Sequence, residues 1–215
     1  MSFLDHLKSQ ANAVQSGQSA QQTHNEANVK LAEAASKTAW LYITELAKQF
    51  NVIQPAGPKL SLDGKTHWPV MKLVDFRVDS RKKKLHDKDV FDYVVMAWRI
   101  VPRDGAPVPA SVSANFPPDL QRIESRLAAG LVQHERVNVR HPEKHTLQAI
   151  RFDYATEARG SVTITPDHLE AKLAFRIASA QSFTIVDASY PATLVQAALL
   201  DEMAKLIVGQ ASSFG

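Results

Sequence analysis

The chain has 215 residues, 45% hydrophobic and 22% charged, the proportions of an ordinary globular domain, which excludes a wholly disordered, collagen-like or membrane-embedded chain. Its 25 Lys and Arg against 22 Asp and Glu leave a formal charge of +3, too small an excess to imply strong attraction to nucleic acid or membrane. With no cysteine, disulfides, thiol nucleophiles and thiolate metal centres are excluded together.

The first residues, Met1 to Lys8, place Asp5 early and have no apolar run behind them, so a secretory signal is not expected and the protein is expected in the cytoplasm. The densest apolar stretch, residues 90–101, is interrupted by Asp92 and Arg99 and is too short to span a bilayer. Residues 9–25 contain no Asp, Glu, Lys or Arg, and five glutamines sit among Ser, Ala, Asn and Gly17. So few large apolar groups cannot bury themselves, and residues 1–22 are expected to form a flexible, Gln/Ser-rich, at most weakly helical arm ahead of a single domain over 23–215. Ahead of this stretch Phe3, Leu4 and Leu7 form a small apolar stripe at helical spacing, suited to docking on the body or on a second subunit.

Thr23 and Glu26 have the spacing of a capping box, so a helix is expected to start at Thr23 and run to about residue 50. Leu31, Ala35, Thr38, Tyr42 and Leu46 fall on one face, while Trp40, Leu41 and Ile43 lie off it, leaving more apolar surface than one contact needs. Pro55, Gly57 and Pro58 end the helix. From residue 59 to 188 the period becomes two: Val74, Phe76 and Val78 alternate with charged residues, as do Ile150, Phe152 and Tyr154; Val162 and Ile164 alternate with Ser161, Thr163 and Thr165; and in the run 169–177 the odd positions are apolar and three of the four even ones charged. Residues 89–101 are almost continuously apolar, as expected of a strand covered on both faces or of a central one, and are the candidate for the middle of the sheet. A short helix after Pro117 and Pro118, closed by Gly130, interrupts the strands. Short connectors at 158–160, 165–168 and 179–181 predict antiparallel hairpins and a meander in the second half. Val195, Leu199, Met203 and Leu206 mark a C-terminal helix over 190–209. The expected class is α+β: a long N-terminal helix, a mainly antiparallel sheet of about 7–8 strands, flat or curved, a short inserted helix, and a C-terminal helix packed on the sheet.

Four groups of residues are candidate sites. His134, Arg136, Asn138 and Arg140 share one face of a predicted strand and, with Arg151 and Arg176 from other strands, would make an anion-binding wall if that face were concave. Arg81, Lys82, Lys83, Lys84 and Lys88, with His86, form a basic hairpin suited to nucleic acid, although Asp87 and Asp89 offset it and a hairpin tip is ordinarily charged. His141 and His145, with His134 or Glu143 as a third ligand, are the metal candidate, but Pro142 rules out the helical metalloprotease arrangement. Leu31, Trp40, Leu41, Tyr42, Ile43 and Leu46 form the candidate interaction surface.

Glu135, Asp153, Glu157 and Glu170 lie on or beside strands where any two could approach, as in almost any mixed sheet, and no nucleophile elbow, phosphate loop or dinucleotide fingerprint is present. Trp40, Trp68 and Trp98 read as packing residues. The sequence therefore weighs against an enzyme and implies no cofactor. The leading expectation is a module that associates with itself or with another protein through the long N-terminal helix. A second is a small-ligand or lipid-binding domain holding an apolar or anionic ligand between a curved sheet and the C-terminal helix; a third, less favoured, is nucleic-acid binding through residues 81–88.

Overall fold

Ala, Leu, Lys and Glu fill the run after Thr23, with no Gly or Pro before Pro55, and this composition favours a helix. In the computed structural model of the protein, which describes residues 3–85 and 87–215, the helix begins well before that run, and α1 spans Phe3–Ile53. The start expected at Thr23 is thus displaced: the capping-box pattern lies inside a continuous helix, because upstream turns already supply carbonyl acceptors for the N–H groups that a cap would satisfy.

The buried face of α1 is Ala32, Ala35, Ser36, Ala39, Ile43 and Ala47. It is turned by about one residue, or about 100°, from the expected stripe, sharing only Ala35 with it. Small side chains let the helix lie close over the sheet, and the larger Trp40, Tyr42, Leu46 and Phe50 pack against the core from the flanks. The buried Ser36 hydroxyl donates to the Ala32 carbonyl at 2.7 Å.

Eight strands follow: β1 (Met71–Leu85), β2 (Lys88–Pro102), β3 (Pro109–Ala114), then helix α2 (Pro117–Ala129), β4 (His134–Arg140), β5 (Leu147–Ala155), β6 (Ala158–Asp167), β7 (Lys172–Ala178) and β8 (Ile185–Pro191). All pairings are antiparallel, in a five-stranded sheet ordered β1-β2-β6-β7-β8 and a three-stranded sheet ordered β3-β5-β4. β2 is interior, but β6 is central, and only one face of β2 is covered: Val94, Met96, Trp98 and Ile100 are buried while Ala97 and Arg99 are exposed.

The expected meander fails at one place. Residues 158–160 begin β6, and β5 and β6 belong to different sheets. Gly160 serves close approach there, since a Cβ would collide with the Trp98 indole on the neighbouring strand. The β3–β5 pairing is closed where the chain leaves for β6: the Thr156 N–H donates to the Val108 carbonyl at 3.0 Å and the Val108 N–H donates to the Thr156 hydroxyl at 2.9 Å. The run expected as a strand from residue 169 starts at Lys172 instead, because residues 168–171 form the β6–β7 turn, with Ala171 at φ 50°.

A 3-10 turn over Ala192–Leu194 precedes α3 (Ala197–Ile207), whose Leu200, Met203, Leu206 and Ile207 are buried. α3 touches α1, where the Tyr42 hydroxyl donates to Asp201 at 2.6 Å; burial, reinforced by this carboxylate, pushes the phenol well above its ordinary range. Phe214, near the end of the chain, packs against Phe175 and Tyr190.

Candidate functional site

Cross-strand partners share a sheet face, and this decides the predicted anion wall. Arg136 lies opposite Phe152, and His134 opposite Tyr154, whereas Arg151 lies opposite Val137 and so projects from the other face. Arg140 follows a register shift and donates to the His145 carbonyl at 3.1 Å. Arg176 belongs to the other sheet, where it pairs with Asp187 at 3.2 Å. The remaining guanidiniums are also engaged, Arg136 near Glu124 on α2 at 3.8 Å and Arg151 with Asp153 at 2.9 Å. The residues named for the wall therefore do not converge: strand register, which a single sequence does not carry, put them on separate surfaces.

The basic hairpin forms as predicted between β1 and β2, with His86 outside the described residues. Its charge is largely answered within the hairpin. Lys83 and Arg81 face Asp92 at 3.1 and 3.8 Å, Lys84 faces Asp89 at 3.1 Å, and Lys82 lies 5.5 Å from the centre of the Phe91 ring.

In the β4–β5 turn, the His141 Nδ1 accepts the N–H groups of Glu143 and Lys144 at 3.2 and 3.3 Å, so that nitrogen closes the turn. His134 is tied to the Val132 carbonyl at 2.9 Å and stacks edge-on to Phe152. Among the described residues no group of three or more His, Cys, Asp or Glu is placed to hold a metal ion, so His141 and His145 gain no third ligand.

Of the four carboxylates considered for catalysis, Glu135 lies directly cross-strand from Asp153, and the other three have basic partners. Glu157 binds Arg99 at 2.8 Å, Glu170 binds Lys172 at 2.7 Å, and Asp153 binds Arg151. Arg99 also reaches Asp75 at 2.9 Å, and the hydrogen bonds it donates to the Glu157 and Asp75 carboxylates raise its pKa. This trio escaped the sequence reading because its members are distant in the chain. Asp63 escaped it as well. Burial pushes its carboxyl up, but the N–H groups of Thr66 and Lys65 and the hydroxyls of Thr66 and Ser61 outweigh burial and hold it down at about 2. A Ser-x-Asp-Gly pattern was the available signal for that turn.

Leu200 and Met203 of α3 belong to the same hydrophobic cluster as Phe175 and Ile177 of β7. A trough of about 500 Å³ lies on the opposite, outer face of the sheet, lined by Thr163, Thr165, Arg176, Asp187 and Ser189 among others.

The interaction surface named on α1 is divided by the packing. Ile43 is 0% exposed and belongs to the core, and Trp40, Tyr42 and Leu46 are partly buried against it; Leu31 and Leu41 remain open at 43% and 53%. Ile43 is therefore removed from that surface, because the close-packed stripe of alanines sets the rotation of the helix. The 51 residues of α1 span about 77 Å. Contact with the body starts near Asn28, which donates to the Leu169 carbonyl in the β6–β7 turn, and is secured by Glu33, which accepts from the Phe91 N–H at 2.8 Å and sits 3.0 Å from the buried His168. Upstream, all the described side chains from Leu7 to His24 are exposed. Among the described residues there, Gln21 is tied to Asn25 at 3.2 Å and Asn28 to His24 at 3.3 Å.

Among the described residues no helix is long and apolar enough to cross a membrane. Comparison with family models, with curated proteins and with solved structures returns no match for this chain.

Proposed function

We propose that the protein is a self-associating module in which the part of α1 upstream of Asn28 is the association element and the two-sheet body anchors it. The observation that carries this reading is the division of one continuous helix. From Ala32 onward it is held in the core, and before Asn25 every described side chain is exposed.

A helix standing free of its own body needs support from somewhere. Isolated helices are marginal in water, and the serines, asparagines and Gly17 of this segment lower its helix preference further. Packing against another helix supplies the missing stabilisation. The test is sedimentation equilibrium on the full chain and on a chain starting at Asn25, which keeps the whole buried stripe. The full chain is expected as a multimer and the shortened one as a monomer. A full chain that stays monomeric up to about 100 µM, well above the micromolar range of modest specific association, overturns the reading.

A further inference from the structure

Resting on that reading, we infer that the arm pairs antiparallel with the arm of a second copy about a two-fold at the level of Gly17, with Lys8 of each chain set against Glu26 of the other. The uncharged stretch of residues 9–25 is bounded by Lys8 on one side and Glu26 on the other, and its midpoint is Gly17. In an antiparallel pair centred there, residues whose numbers sum to 34 lie side by side. Lys8 then meets Glu26 twice, once at each end of the pair. The two residues are 18 positions apart, five whole turns, so they stand on the same line of the helix. Both are exposed, and neither has an ion-pair partner in its own chain among the described residues.

The same pairing accounts for one further feature. The line that carries Lys8 and Glu26 also carries Asn12, Gln15 and Gln22, all exposed, so the seam is lined with amides, which both donate and accept and so match an identical copy, while offering no charge by which an oppositely charged partner would be selected. A parallel, in-register pair would instead set Lys8 against Lys8 and Glu26 against Glu26, which is repulsive at both ends.

Charge reversal in the full chain tests the arrangement. At about 50 mM salt, Lys8→Glu and Glu26→Lys are each expected to raise the dimer dissociation constant about tenfold, and the double variant to return it to within about threefold of the original. The chain has no native cysteine, so crosslinking gives a second readout free of background. A mixture of Lys8→Cys and Glu26→Cys chains is expected to form a disulfide-linked dimer of the two, and Lys8→Cys alone is not. Single reversals without effect, a double variant without rescue, or efficient crosslinking of Lys8→Cys to itself would each overturn this geometry while leaving arm-dependent association standing. A monomeric full chain would remove both.

Discussion

Glu33 stands where α1 stops being an arm and becomes part of the body, and a single carboxylate oxygen there serves two donors from different strands and turns. It accepts the Phe91 N–H and lies 3.0 Å from the His168 ring, which is 5% exposed. Glu33→Ala would strand both donors, and a buried donor without a partner costs about 1–3 kcal/mol. Urea unfolding should show that loss, and Glu33→Gln, which keeps an acceptor, should restore most of it. Asp63 gives a pH-dependent counterpart. Its carboxyl is held at about 2, below the ordinary value near 4, so the stability it contributes is complete above about 4 and is lost as pH falls toward 2. Asp63→Asn is therefore expected to melt below the native chain at pH 6, with the gap closing as the pH is lowered to 2. Neither residue was singled out in the sequence, because their partners, Phe91 and His168 for the one and a turn closed by backbone N–H groups for the other, are visible only once the chain is folded.

At the scale of elements, the order was readable and the orientation was not. Three strands, a short helix, five strands and a last helix follow from period-two alternation, Pro and Gly punctuation and helical spacing, and the structure has that order. The rotation of α1 was misjudged, because four alanines look the same whether they face a sheet or water. Two substitutions separate the faces. Ile43→Ala should cost about 2–5 kcal/mol as a core truncation, whereas Leu41→Ala should stay within about 0.5 kcal/mol. Equal effects in thermal or urea unfolding would contradict the observed rotation. The start of α1 was misplaced for a related reason: a capping box marks a helix end only where no helical turn precedes it.

For the whole molecule, the two parts of α1 have opposite relations to the body. Residues from Asn28 onward are indispensable to it, since Ala32, Ala35, Ala39, Ile43 and Ala47 cover one face of the five-stranded sheet. A chain beginning at Asn25 should unfold cooperatively in calorimetry, and one beginning at Lys59 should show no cooperative transition, having lost that cover. The C-terminal tail is tied down as well. Lys205 and the Ser213 N–H and hydroxyl hold the Glu202 carboxyl at about 2, and Phe214 closes the aromatic group with Phe175 and Tyr190.

By itself the sequence determined the α+β class, the element order, the wet and dry faces of most strands, the absence of cysteine chemistry and the uncharged stretch framed by Lys8 and Glu26. These are local properties, set by residues a few positions apart. The tertiary structure alone decided that the strands divide into two sheets between β5 and β6, that Arg136, Arg151 and Arg176 part company, that the hairpin lysines find Asp89 and Asp92, and that Ile43 is core while Leu41 is surface. Each of these depends on register or on helix rotation. Both are settled by packing between segments far apart in the chain, where a shift of one residue sends a side chain to the opposite face.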